Sequence, residues 1–198
     1  GTTFGYIDAM AEMAEEYPDV IFLHCSGYLN NDTNFANYFG KMYQPRYLSG
    51  LAAGAMTDSN KIGYVAAFPI PEVIRGINAF AAGVNEVNPE ATVEVVWTFT
   101  WFGPEAETQA ANALLEKGAD VLAQHQDSTA TGLAAEAAGA KWISYNTAYG
   151  QDSAPEAFVT APVWDWGPYY VNIVEQIIDG TFTTESYWGG MELSLIHI

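Results

Sequence analysis

The sequence predicts an α/β protein built on a mostly parallel sheet with helices on both faces. Strand-length apolar segments alternate repeatedly with amphipathic stretches of helical period, and the connections between them are short. Helix ends carry their own punctuation: several open near a proline and close at a glycine or just before a proline.

In chain order, residues 4–17 read as a helix stopped at Tyr17-Pro18, because the residue before proline is pushed out of the α region. A buried strand over 19–25 follows, then a polar loop from Ser26 to Asn34 and an aromatic extended piece over 35–43. Pro45 sits in the first turn of a helix that runs through Leu48, Leu51 and Ala55. Residues 62–66 form a strand and Phe68-Pro69-Ile70-Pro71 a rigid turn. Val73, Ile77, Phe80, Val84 and Val87 then make one apolar helical stripe that stops at Asn88-Pro89. Strand 92–97 leads into Phe99-Thr100-Trp101-Phe102-Gly103, and Pro104 opens a helix ended by Gly118. Strand 120–124 precedes Ser128, an N-cap, and a helix ending at Gly139. Strands 141–145 and 157–163 and a final helix carrying Tyr169, Ile173, Val174 and Ile177 before Gly180 complete the pattern.

Composition excludes several functions. Six Lys and Arg face 24 Asp and Glu, a net charge of −18. That field repels phosphate backbones and anionic lipid, so neither nucleic acid nor a membrane surface is an expected partner. Acid excess with so little lysine also fits a salt-rich habitat. No run of eighteen apolar residues exists to span a bilayer. Cys25 has no second cysteine to pair with and lies inside a strand pattern, which marks it as a packed thiol. Gly50-Leu51-Ala52-Ala53-Gly54 lacks the lysine of a phosphate-binding loop.

Ligands of open α/β sheets bind beyond the carboxyl ends of the strands. The residues there are Phe68 and Glu72, then Trp101, His125 and Asp127, Asn146, Trp164 and Trp166. Aromatic, carboxyl and amide groups dominate this set, and Lys and Arg are absent from it. Such a set suits a neutral, flat, hydroxylated molecule: rings stack on a heterocycle and carboxylates accept from ring N–H or sugar O–H. Trp97, inside a strand, is assigned to the core. His125 and Asp127, spaced as H-x-D, could instead serve as an acid–base pair, and Asp127 could cap the helix near Ser128. With no third ligand in view, no metal site is expected.

Lys61-Ile62-Gly63-Tyr64-Val65 followed by Phe68-Pro69-Ile70-Pro71-Glu72-Val73-Ile74-Arg75-Gly76 resembles the basic membrane protein (BMP) family of ABC-transporter solute-binding lipoproteins. The likeness continues through Trp101-Phe102-Gly103-Pro104, residues 118–128, Ala161-Pro162-Val163-Trp164-Asp165-Trp166-Gly167-Pro168 and Tyr187-Trp188-Gly189-Gly190-Met191. The resemblance implies a type I periplasmic-binding fold, two Rossmann-like lobes here truncated at both ends. It also implies a binding protein rather than an enzyme, without cofactor, placed in the periplasm or on the outer face of the cytoplasmic membrane. Its partners would be a small-molecule ligand and ABC permease subunits, with membrane contact only through a lipid anchor. Relatives bind purine nucleosides or nucleobases between aromatic side chains, and one branch takes a flavin-type ligand. Where the nucleoside-binding branch carries an Asp before Ile-Pro, this chain has Pro69, and Glu72 is the candidate to supply that group. A nucleoside-metabolising enzyme using His125 and Asp127, or a ligand-sensing receptor of the same fold, are the alternatives.

For such a clamp, the break at Thr57-Asp58-Ser59-Asn60 predicts lobe I over residues 1–60 and 161–182, lobe II over 61–160, and a further crossing from 183 to 192. Leu193-Ser194-Leu195-Ile196-His197-Ile198 fits none of this. It can be spelled by the transposon-end adapter of sequencing libraries, so it is read as an adapter-derived tail with no packed contribution, on a fragment whose signal peptide is missing.

Overall fold

Side chains of strand β3 (Lys61–Ala66) alternate between two hydrophobic cores, as a two-residue period requires. Ile62, Tyr64 and Ala66 pack with Val73, Phe80 and Val84, whereas Val65 packs with Leu114 and Trp142. The computed structural model describes residues 4–193, 196 and 197. In it β3 joins a five-stranded, wholly parallel sheet ordered β4-β3-β5-β6-β7. The other strands are β4 (Thr92–Trp97), β5 (Val121–His125), β6 (Lys141–Ile143) and β7 (Phe158–Thr160).

Helices α2 (Tyr43–Met56) and α3 (Pro71–Val87) contribute to one core, and α4 (Pro104–Glu116) and α5 (Ala130–Ala138) to the other. Trp97 packs against the first core, as its strand position predicts. Phe158 packs beside Trp142, and the short helix α6 (Gly150–Ser153) precedes β7. Gly132 and Gly150 make room for the Trp142 ring, since a Cβ at either would lie 2.3 or 2.6 Å from it.

The chain forms two compact units, residues 1–41 with 165–196, and residues 42–164 with 197–198. This moves both lobe boundaries read from the sequence. Helix α2 belongs with α3 because glycines let the two backbones touch. A Cβ on Gly50 would sit 2.1 Å from the Phe80 carbonyl oxygen, and one on Gly83 the same distance from that of Tyr47. The apparent break at Thr57–Asn60 is a clamped turn inside the second unit. There the Asp120 carboxylate accepts from Thr57 Oγ1 at 2.6 Å and from the backbone N–H groups of Asp58 and Ser59 at 2.8 and 2.7 Å. The segment read as one strand over 157–163 is β7 followed by β8 (Val163–Trp164), which ends the unit's main stretch.

The first unit holds α1 (Ile7–Glu16), β1 (Phe22–Cys25), β2 (Phe35–Gly40), α7 (Gly167–Ile178) and β9 (Tyr187–Gly189). Its sheet is parallel with order β1-β2-β9, so residues 187–189 belong to this unit rather than to a further crossing. The polar loop before β2 is a built turn: Asn31 Oδ1 accepts from the backbone N–H of Thr33, Asn34 and Phe35. Asn34 in turn donates to the carbonyls of Ala14, Tyr17 and Val20, tying the loop to α1. Cys25 is buried, as its strand setting predicts.

Of the tail, Ser194, Leu195 and Ile198 lie outside the described residues, as do Gly1, Thr2 and Thr3. Ile196, in the short strand β10 (Ile196–His197), is fully buried, which corrects the expectation that the tail packs against nothing.

Candidate functional site

Register brings three strand ends of the second unit into one row. Ala66 of β3 pairs with Trp97 of β4 on one side and with His125 of β5 on the other. The loops leaving this row therefore start level. After β4 the ladder continues briefly, with Thr98 and Phe99 N–H donating to the Ala66 and Ala67 carbonyls at 2.9 Å, before Phe99 turns the chain at φ 56°. That turn brings Trp101 back beside Phe68, ring centroids 5.3 Å apart and tilted by 56°. The Trp101 carbonyl accepts the Asp127 N–H at 3.0 Å, which fastens the β4 and β5 loops together.

Beneath these rings lies a buried polar layer. The His125 ring sits 4.3 Å from Tyr145 and 6.0 Å from Trp101, and its Nε2 is 3.8 Å from Glu72 Oε1. Burial pushes the His125 pKa well below the ordinary histidine range, and the nearby Arg46 charge pushes it the same way, so the ring is neutral. Burial also pushes the Glu72 carboxyl up to about 7. Arg75 and Arg46 pull it back, while Asp127 pushes it further up. Glu72 stands in the first turn of α3, placed by Pro71 at the helix start.

A second set forms at the β5 and β6 ends. Asn146 Nδ2 donates to Asp127 Oδ1 at 2.9 Å, and Asn146 Oδ1 accepts the Trp164 indole N–H at 3.0 Å. Asn146 has φ 68°, a left-handed conformation that asparagine tolerates better than most residues. Partial desolvation raises the Asp127 pKa, the Glu107 charge adds to this, and the Asn146 hydrogen bond opposes it. Glu107 is fully buried and accepts from Gly103 N–H at 3.0 Å and Ser128 Oγ at 2.5 Å. Ser128 Oγ also accepts the Ala130 N–H, but the N-cap of α5 is Thr129, without a side-chain capping bond, rather than Ser128 as the sequence predicts, and Asp127 is engaged by Asn146.

Seven of the eight residues picked from the sequence thus lie at or just beyond the carboxyl edge of one sheet: Phe68, Glu72, Trp101, His125, Asp127, Asn146 and Trp164. Trp166 belongs to the other unit, in an aromatic group with Tyr38, Tyr169 and Tyr170. Two residues of the layer escaped the sequence reading. Tyr145 directly precedes Asn146. Arg46 corrects the expectation that basic groups are absent: it reaches in from α2, donates from Nη1 to the Gln124 carbonyl at 2.8 Å, and lies 4.1 Å from the Tyr145 ring centre. Its only sequence signal is a lone arginine next to helical Pro45, which distance along the chain separates from the strand ends. His125 and Asp127 make no mutual hydrogen bond here, since Asp127 is turned to Asn146 and His125 faces Glu72. Among the described residues no group of three His, Cys, Asp or Glu could hold a metal, and no helix is long and apolar enough to cross a membrane.

The whole chain, not only these loops, has relatives. A protein of Haloferax volcanii named as an ABC transporter glucose-binding protein is 49% identical over 192 residues, covering 97% of this chain and 49% of that one. A purine-binding protein of Brucella abortus is 40% identical over 200 residues, covering 98% of this chain and 55% of that one. The chain thus spans about half the length of these relatives. A solved ABC-transporter solute-binding protein of Conexibacter woesei superposes with a TM-score of 0.75 at 27% identity, over 96% of this chain and 64% of that one. Parallel sheets flanked by helices are thus the periplasmic-binding architecture that the motifs implied. With residues 1–197 matching the corresponding family model, the chain belongs to the PnrA-like ABC transporter substrate-binding proteins.

Proposed function

We propose that the chain is part of the extracytoplasmic solute-binding component of an ABC importer and captures a purine nucleoside or nucleobase without transforming it. The carrying observation is the composition of the sheet edge. The Phe68–Trp101 pair offers ring faces, and Glu72 and the Trp164–Asn146–Asp127 chain offer hydrogen-bonding groups. A base stacked on such a ring gains about 1–3 kcal/mol. Carboxyl and amide groups serve ring N–H and ribose hydroxyls. The purine-binding relative supports this ligand class. Capture rather than catalysis fits His125, which is buried and neutral, and Asp127, which is bonded to Asn146.

The glucose-binding name of the more similar relative favours a second reading, a hexose held by the same carboxyl and amide groups. Calorimetric titration of the full-length protein with inosine, guanosine, hypoxanthine and glucose separates the two. Heat with a purine and none with glucose supports the proposal, and the reverse replaces it. Chromatography of the mixture after incubation tests turnover: released free base from inosine would mean an enzyme.

A further inference from the structure

Arg46 is wholly buried beneath the sheet edge, yet its guanidinium is only partly satisfied. Nη1 donates to the Gln124 carbonyl, and the group lies over Tyr145 at 4.1 Å and Tyr64 at 5.6 Å. Nε and Nη2 have no hydrogen-bond partner, and among the described residues no carboxylate reaches Arg46 within ion-pair distance. An unsatisfied buried cation is costly, so an acceptor is needed. Nδ1 of His125 is buried and also without a partner. Both atoms flank one spot: a Cβ on Gly76 would lie 3.8 Å from Arg46 Nε and 3.9 Å from His125 Nδ1.

A neutral imidazole carries its proton on one nitrogen and a lone pair on the other. With Nδ1–H, a second donor would be placed beside Gly76, where the Arg46 Nε–H already lacks a partner. With the lone pair on Nδ1, the field of the nearby guanidinium is favourable. Nε2 then carries the proton, and Nε2 points to Glu72. Four groups face this ring: Arg46 from α2, Glu72 from α3, Trp101 from the β4 loop and Tyr145 after β6. Of these, Arg46 is charged and Glu72 is partly so, its carboxyl being pushed up to about 7, and the Arg46 charge and the ionised form of Glu72 both favour this arrangement.

We propose that Arg46 is a positioning residue that fixes His125 as the Nε2–H tautomer, so that the positive N–H edge faces the Glu72 carboxyl at 3.8 Å, favours its ionised form and leaves its lone pairs to a donor group of the ligand. The ligand chemistry rests on the function proposed above; the tautomer does not. Above about pH 7, where Glu72 is ionised, a ligand presenting a ring N–H or hydroxyl to it is bound, and one presenting only an acceptor there is not.

Long-range 15N NMR of the ligand-free full chain reads the tautomer directly, with His125 assigned by the signals lost in His125→Gln. The expected result is a protonated Nε2 and unprotonated Nδ1 between pH 6 and 8 in the wild type, and a mixed or reversed tautomer in Arg46→Met. A wild-type Nδ1–H tautomer overturns the proposal whether or not Arg46→Met folds, as does an unchanged Nε2–H tautomer in folded Arg46→Met. In the same variant, purine affinity is expected to fall about tenfold, the equivalent of one weakened charged hydrogen bond. Absence of any purine binding by the wild type would sink the ligand class and leave the tautomer result standing.

Discussion

Asn146 holds the Asp127 carboxylate across 2.9 Å while sitting at φ 68°, so one residue supplies both the turn and the hydrogen bond. Separating the two roles is a matter of choosing the replacement. Asn146→Gly keeps the left-handed turn and loses both side-chain bonds, and is expected to lower stability by about 1–2 kcal/mol. Asn146→Ala adds the strain of a Cβ at positive φ, about 1 kcal/mol more. Urea denaturation of the two variants should give that order, and equal midpoints would show that the turn carries no strain.

Close approach of α2 and α3 depends on Gly50 and Gly83. A methyl group at either would meet a backbone carbonyl oxygen at 2.1 Å, which no side-chain rotation relieves. Gly83→Ala should therefore destabilise by about 1–3 kcal/mol despite alanine's better helix propensity. Gly139→Ala makes a useful contrast: its surroundings are open, and only its φ of 70° resists the substitution. Thermal melts that show Gly83→Ala no worse than Gly139→Ala would contradict the helix contact described here.

These glycines also show where the sequence was legible and where it was not. Periodicity and end signals located every large element, because the stripe Val73–Ile77–Phe80–Val84 and the alternation in β3 are one-dimensional patterns. The unit boundary was misplaced because Gly50 pairs with Phe80 thirty residues away, a contact that no local pattern announces. At the site, the rule that ligands meet strand ends found Phe68, Trp101, His125, Asp127 and Asn146, each one or a few residues past a strand or at its last position. It missed Arg46, which enters from a helix of different sequence position, and included Trp166, which follows the short β8 into the other unit.

Stability should depend on pH through Glu72 and Asp120 with opposite signs. The Glu72 carboxyl is raised from 4.5 to about 7 in the fold, so its protonated form is favoured there. Its contribution is fully present below about pH 4.5 and is lost as pH rises toward 7, on the order of 3 kcal/mol. Asp120 is partly buried, which raises its pKa, but hydrogen bonds from Thr57, Ser59 and Asp58 outweigh this and lower it. Its contribution is present above its unfolded value near 3.8 and is lost on further acidification. Glu72→Gln, which mimics the protonated acid, should flatten the decline between pH 5 and 7 in chemical denaturation. An unchanged slope would show that Glu72 titrates in its ordinary range.

In the proposed function, the carboxyl edge of the second unit's sheet binds a purine through Trp101 and Asp127. Dissociation constants for inosine or hypoxanthine in full-length wild type, Trp101→Ala and Asp127→Asn measure this. Each variant is predicted to weaken binding by about 1–3 kcal/mol, roughly fivefold to 150-fold, through loss of a stacking ring or of a charged acceptor. Wild-type affinity for the purine in both folded variants would contradict the site, however firmly the family assignment stands.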